Sequence, residues 1–503
     1  MLNFSIKSFT EHIRSDNAES SAIYNDLKKA FYLSLSTYPK NQNIIGVYFF
    51  DILKLITNTH FKNKELQLGI EPTNKFVHRK LDNWPYIGYE DITQGIDLKT
   101  KNFGKIISIK PSITRRILQH MTNFQCNLGS RFSKTVSLTS LRISNDENLL
   151  SFQPPQLKRK LISAKKGWFS VPNLSSQLDL LRSIIIEVME TNNHPLSPVL
   201  ISEILLCHIN ADCYEGSINF EFTSDVVVLN SGVDLHNRML GMAAINQGLP
   251  VINIQHGEAY GIFDEPPFGE LGECIYSSAV LGYGDGALAN QQTYKFGLDK
   301  KIHYIKSNST KINKLFSNEF KGLDTNTKDI NYFYFPTSLG GASHRYGPYR
   351  DTSDSLYLSW QLCLINIFNG EVTIKSHPKE KYLESYNFKK FKSETGTISE
   401  LLQKIDVFIF DYVGTAFNEA CATEKPIIYF DLGIRNIAPD VLKEIKKRTI
   451  YFDIENGLPT IDEIKDHLYF SEVKNSYSKE YSLCGNDKSR IQSLSDGIDK
   501  LYG

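Results

Sequence analysis

The chain has 503 residues, which at roughly 150 residues per domain implies about three domains or two large ones. Its 56 Lys and Arg balance 56 Asp and Glu, so it lacks the basic footprint of a dedicated nucleic-acid binder. A 41% hydrophobic and 22% charged composition excludes disorder, and the longest apolar runs, IIGVYFF from Ile44 and VFIF from Val407, fall far short of the ~20 residues that cross a bilayer. The first residues lack the basic and then apolar regions of a secretory signal, so the expected compartment is the cytoplasm. Local charge clustering leaves room for peripheral contact at the inner face of the membrane. Seven scattered cysteines without a C-x-x-C pair read as reduced, buried thiols rather than a zinc site.

Helices are predicted over Ala22 to Leu35 and Ser176 to Thr191. Between them, Lys64 to Pro172 is broken by short polar stretches and supports only isolated strands. DVVVLN (Asp225 to Asn230), a helix over Val233 to Gln247 and VINI (Val251 to Ile254) form a βαβ unit. From Asn331 onward, short β-branched or aromatic runs alternate with amphipathic segments. The strands are YFYF at Tyr332, VTIK at Val372, VFIF at Val407, IIYF at Ile427 and TIYF at Thr449. The helices are Ser355 to Phe368, Ile398 to Lys404, Ala416 to Thr423, Pro439 to Lys447 and Ile461 to Leu468. The predicted class is α/β, with two Rossmann-like, doubly wound domains facing a cleft. The expected division is residues 1–297 with insertions, residues 298–475, and a helical tail over 476–503.

In an open parallel sheet, ligands bind beyond the carboxyl ends of the strands. After YFYF comes a long loop with Arg345 and Arg350. Lys375 ends VTIK and is followed by His377 and Pro378. After VFIF comes DYVGT, in which Gly414 and Thr415 open a helix carrying Asn418 and Glu419. Together these loops make a candidate anion and nucleoside pocket. Thr415 and the backbone N–H groups after Gly414 suit a phosphate, either arginine suits a phosphate or carboxylate, and Glu419 suits ribose hydroxyls. Gly-Thr is equally a plain helix cap, and His-Pro a common turn.

On the first domain, VINI runs into Gln255, His256, Gly257 and Glu258, and the opposite loop of the βαβ unit holds Asp234. A His and carboxylates beyond a buried strand suit a general base or nucleophile, and equally suit solvated loop acids beside a structural His. No P-loop occurs, and the G-x-G-x-G from Gly282 to Gly286 lacks dinucleotide-binding spacing. H-E-x-x-H, G-x-S-x-G and D-x-D are absent, so no metal is expected at the site.

The order of these motifs resembles bacterial GT-B enzymes of surface polysaccharide synthesis: an H-G after a first-domain strand, an H-P in the second, then a D-x-x-[GS]-[ST] helix start before a Pro-initiated strand. The patterns are similar to those of the Kdo and sialic-acid transferases, which use CMP-sugars, and of the CDP-glycerol or CDP-ribitol polyol-phosphate transferases. QHGEAYG from Gln255 also resembles the Q-H-G-x-x-Y-G of transferases in O-antigen clusters. The resemblance covers about Asp225 to Asp453. It implies a GT-B-like fold, cytidine-nucleotide contact at His377 and Pro378, a phosphate role for Thr415 and a catalytic role for His256; beside it, the loop acids Glu258 and Asp234 are the candidates for the acid that activates the acceptor or attacks the anomeric carbon. DYVGT in place of D-Y-S-S, and the lack of a basic N-terminal membrane-binding region, favour a sugar over a polyol-phosphate donor.

The expectation is a metal-independent glycosyltransferase with no separate cofactor. It would move a sugar from CMP-Kdo or a related CMP-ulosonic acid to a capsule or O-antigen glycan or its lipid-linked precursor, with the donor on the second domain and the acceptor on the first. The alternatives are a transferase using a UDP-sugar, a GDP-sugar or a CDP-polyol, and a non-catalytic carbohydrate-binding scaffold subunit.

Overall fold

Apolar strands and the helices between them build two parallel sheets. The computed structural model describes residues 6–39, 43–67, 124–126, 136–138, 169–215, 225–229, 235–255, 260–264, 274–293, 302–317, 330–337, 354–375, 391–470, 476–483 and 490–502.

The first part of the chain runs α1 (Ile6–Thr37), α2 (Ile44–Gln67), β1 (Phe124–Cys126), β2 (Val136–Leu138), β3 (Phe169–Val171), α3 (Leu174–Thr191), α4 (Pro198–Asp212) and β4 (Cys213–Glu215). It continues through β5 (Val226–Leu229), α5 (Leu235–Asn246), β6 (Val251–Ile254), β7 (Ala279–Tyr283), α6 (Asp285–Thr293) and β8 (His303–Ser307). The sheet order is β1-β2-β5-β6-β7-β8, parallel except at β1, while β3 and β4 form a separate parallel pair. Both β5 and β6 are buried throughout, which is why they read as unbroken apolar runs. IIGVYFF proves to be the start of α2. Asn43 accepts the Ile45 and Gly46 N–H groups at 3.0 and 3.3 Å, so a short polar side chain starts a helix that is then buried at Ile44, Ile45, Val47, Tyr48 and Phe49.

After β8 the chain crosses to the second sheet through α7 (Thr310–Ser317). There follow β9 (Tyr332–Tyr334), α8 (Asp354–Ile367), β10 (Val372–Lys375), β11 (Ser393–Glu394), α9 (Ile398–Leu401), β12 (Val407–Phe410), α10 (Thr415–Cys421), β13 (Ile427–Asp431), α11 (Pro439–Arg448), β14 (Ile450–Asp453) and α12 (Ile461–Phe470). The order β11-β10-β9-β12-β13-β14, parallel throughout, is the 3-2-1-4-5-6 order of a dinucleotide-binding sheet. One face, with Tyr334, Ile409 and Phe430, packs on Trp360 of α8. The other, with Phe333, Phe335, Phe408 and Phe410, packs on Ile312 of α7 and Phe417 of α10. The expected α/β class, two Rossmann-like domains in a GT-B-like arrangement, is therefore the one observed.

Strand β8 pairs with β7, so the chain leaves the first sheet only after Ser307. Within the tail, α13 (Ser476–Tyr481) packs on α11 and α6. Helix α14 (Arg490–Tyr502) returns to the first sheet, laying Leu494 and Ile498 on Val226, Val228, Ile252 and Ile254. The last two glycines of G-x-G-x-G, Gly284 and Gly286, serve this packing. Gly284 sits at φ +77°, and a Cβ there would lie 2.4 Å from the backbone of Tyr481. Among the described residues no helix is long and apolar enough to cross a membrane.

Candidate functional site

In the second sheet the strand order reverses between β9 and β12, and a pocket opens beyond their carboxyl ends. Its walls include Thr337, Tyr357, Asp411, Val413, Tyr429, Asp431 and Arg435, and the first domain contributes Phe263. Asp411 follows β12 directly. Because Phe410 faces α10, Asp411 turns to the α8 side, where it is buried. There it accepts hydrogen bonds from the Tyr334 hydroxyl, from the Tyr357 hydroxyl at 2.9 Å and from Trp360 Nε1 at 2.8 Å. The Tyr357 oxygen in turn accepts the Thr337 N–H at 3.0 Å. A buried carboxylate is tolerated only with such donors around it, and this network fixes both loops of the switch point. Burial and the neighbouring carboxylate push the Tyr334 hydroxyl well above its ordinary range, so it stays a donor.

Asp431, at the end of β13, forms the other side of the pocket. It accepts from the Tyr451 hydroxyl and, at 2.9 Å, from the Gly433 N–H. Burial raises its carboxyl above the ordinary aspartate range, against the pull of those donors. Four residues on, the Arg435 guanidinium stands 6.0 Å from the centre of the Phe263 ring. The two domains also join by backbone here: Asp264 N–H donates to Asn436 at 2.9 Å, and Ala438 N–H to Ile262 at 3.0 Å. Asn290 ties this junction further by donating to the Gly261 carbonyl of its own domain at 2.9 Å and to the Asp440 carboxylate of the other at 3.3 Å. The pocket thus has a wall from each domain, held by a short antiparallel bridge.

One strand away on the other side lies a charged cluster. Lys375 ends β10 and is 9% exposed, Glu419 on α10 is 4% exposed, and Glu419 Oε1 lies 2.6 Å from Lys311 Nζ of α7. Burial lowers the Lys375 ammonium and raises the Glu419 carboxyl, and the nearby opposite charge offsets each shift. The expected donor residues Lys375 and Glu419 therefore come together, with Gly414 and an exposed Thr415 at the head of the same helix. Asn418 is turned into the interior, where it accepts the Tyr477 hydroxyl of α13 at 2.8 Å. His256, Glu258, Asp234, Arg345, Arg350, His377 and Pro378 lie outside the described residues.

Sequence reasoning passed over Asp411, Asp431, Arg435, Tyr357 and Lys311. Asp411 and Asp431 had a signal, each being an acid set directly after a wholly apolar strand. Tyr357 and Trp360, three apart on α8, had only helical spacing, and Lys311 had none. Among the described residues no group of three or more His, Cys, Asp and Glu is arranged to hold a metal ion.

No family model matches the sequence, and no curated protein matches it. Among solved structures, a putative UDP-N-acetylglucosamine 2-epimerase from Listeria monocytogenes is similar at 12% identity and a TM-score of 0.34, over 66% of this chain and 80% of that one. S. aureus MnaA, in a co-structure with UDP, is similar at 11% identity and a TM-score of 0.31, over the same shares of the two chains.

Proposed function

We propose that the protein is a glycosyltransferase that draws its sugar from a nucleotide-activated donor, CMP-Kdo or a related CMP-ulosonic acid, and passes it to a bacterial surface glycan or its lipid-linked precursor. The observation that carries this proposal is the pocket at the β9/β12 switch point, walled by Asp411, Asp431 and Arg435 on one domain and Phe263 on the other. Carboxylates that border a parallel-sheet switch point accept sugar hydroxyls, and a guanidinium there suits the carboxylate that distinguishes an ulosonic acid. The acceptor would lie against the first domain, where Asp234 follows β5 and His256 and Glu258 follow β6. Closure of the two walls would exclude water and so suppress donor hydrolysis.

A thermal-shift series with CMP, CDP, UDP, GDP and ADP tests the donor. A nucleotide at 100 times its dissociation constant adds about 2.7 kcal/mol of stability, and selective stabilisation by CMP is expected. Stabilisation by UDP or GDP alone would replace the CMP donor, and no response to any nucleotide would favour a non-catalytic carbohydrate-binding role. Arg435→Ala sharpens the test. It is expected to weaken the CMP-ulosonic acid by about tenfold while leaving CMP itself unchanged, as titration calorimetry would register. Equal losses for both ligands would remove the carboxylate assignment.

A further inference from the structure

We propose that Lys311, Lys375 and Glu419 form an anion subsite that takes a phosphate group, with Glu419 as its built-in counter-ion. Lys375 is nine-tenths buried, yet among the described residues it makes no hydrogen bond and no ion pair within 4 Å. Its side chain lies on the face of the sheet that carries Phe335 and Phe410, at the same level in the strand register. A lysine in that position gives up much of its water with no hydrogen bond in return and only the shared charge of Glu419 to offset the loss, so a bound anion would stabilise it. Among the described residues the carboxylate acting on it is Glu419, which is already bonded to Lys311 at 2.6 Å. Two ammonium groups therefore share one carboxylate, and positive charge is left over.

The two lysines come from different elements, one from the end of β10 and the other from the helix that carries the chain across from the first sheet. Converging ammonium groups suit a tetrahedral, multiply charged oxyanion better than a flat carboxylate, which is matched by a guanidinium fork. The position also fits. Strand spacing puts the end of β10 on the order of 10 Å from that of β12, within the length of one nucleotide sugar whose hydroxyl-rich end lies at Asp411 and Asp431. The inference rests on the proposed function for the rest of the ligand, but not for the phosphate.

Inorganic pyrophosphate is therefore the primary probe, with CMP and cytidine beside it, each titrated calorimetrically into the full chain. Pyrophosphate is expected to bind the wild type and to weaken about tenfold or more in Lys375→Met and in Lys311→Met, with Lys404→Met, a surface control, unaffected. Glu419→Gln removes the counter-ion and is expected to tighten pyrophosphate several-fold, which a merely structural glutamate would not do. CMP should weaken in the lysine variants while cytidine does not. Wild-type pyrophosphate affinity in both lysine variants, or no pyrophosphate binding to the wild type, overturns the subsite. If pyrophosphate binds through the lysines but no nucleotide binds, the subsite stands and the nucleotide-sugar function falls. If CMP binds equally well to all variants, the function stands and the subsite falls. Should Lys375→Met fail to fold, Lys311→Met and Glu419→Gln decide the matter.

Discussion

Asp411 holds a negative charge in the interior because two phenols and an indole are aimed at it. Truncation to Ala would leave those donors buried without their acceptor, at about 1–3 kcal/mol each. Asp411→Ala should therefore lower the unfolding free energy by about 3–5 kcal/mol in a denaturant titration, with a shift in Trp360 emission. A loss under about 1 kcal/mol would mean that the network does not organise the switch point. His194 gives a second residue-level prediction. Its Nδ1 accepts the Leu196 N–H at 3.1 Å and its Nε2 donates to the Ile56 carbonyl at 3.0 Å, so the neutral ring is fully used. Burial is the main force that pushes its pKa down from 6.5 to about 4, with the nearby His60 adding to it. The unfolded chain takes up a proton near pH 6.5 that the folded chain refuses until about pH 4. Stability is accordingly intact above pH 6.5 and falls with acidity through that window, by about 1.4 kcal/mol per unit and approaching ~3 kcal/mol. Chemical denaturation of the wild type and His194→Asn at a series of pH values should show the slope flattened in the variant, and parallel slopes would refute it.

At the level of elements, what was legible follows from burial. The strands of the second sheet are buried on both faces, so VFIF and IIYF announced themselves as apolar runs. Strand β8, HYIKS, lies at a sheet edge with its first four residues at least partly exposed, so its alternating polarity gave no such signal. Helix α2 was hidden for the opposite reason. An apolar run buried on every side carries no helical period, and only the Asn43 cap marked its start. The carboxyl-edge rule located the donor side of the second sheet, but which side chains meet there depends on strand order, which no local pattern encodes. Two glycines of similar backbone conformation separate intrinsic strain from packing. Gly248 has φ +75° with nothing within 4 Å of an added Cβ, whereas Gly284 has φ +77° with the Tyr481 backbone 2.4 Å away. Gly248→Ala should cost about 1 kcal/mol, the left-handed penalty alone. Gly284→Ala should cost about 2–4 kcal/mol, with faster hydrogen exchange over residues 476–483 as the tail helix is pushed off. Equal costs at both positions would show that the tail docks without needing that glycine.

Across the whole molecule, α1 is the longest element to touch both domains. At 32 residues it extends about 48 Å. Its first turns reach the second domain, where Phe9 stacks on Trp360 at 6.3 Å and Arg14 pairs with Glu455. Its later turns bury Ile23, Tyr24, Leu27 and Phe31 in the first domain. Trp360 is also a donor to Asp411, so the attachment of α1 and the floor of the pocket share one side chain. An opening of the cleft must break the 262–264 to 436–438 bridge, the Phe9 contact, or both. The Arg14 pair is solvent-exposed and contributes at most about 1 kcal/mol, so Phe9 is the stronger hold. Phe9→Ala should lose about 3 kcal/mol of local stability. Hydrogen exchange is then expected to quicken in the first turns of α1 and in α8, with residues 23–37 unchanged because their core lies wholly in the first domain. The pocket should feel the same change through Trp360, as a lower affinity for whichever nucleotide stabilises the wild type. Uniformly faster exchange along α1 would instead mean that the helix is one cooperative unit with the first domain, and that the second domain is held by the bridge and the tail.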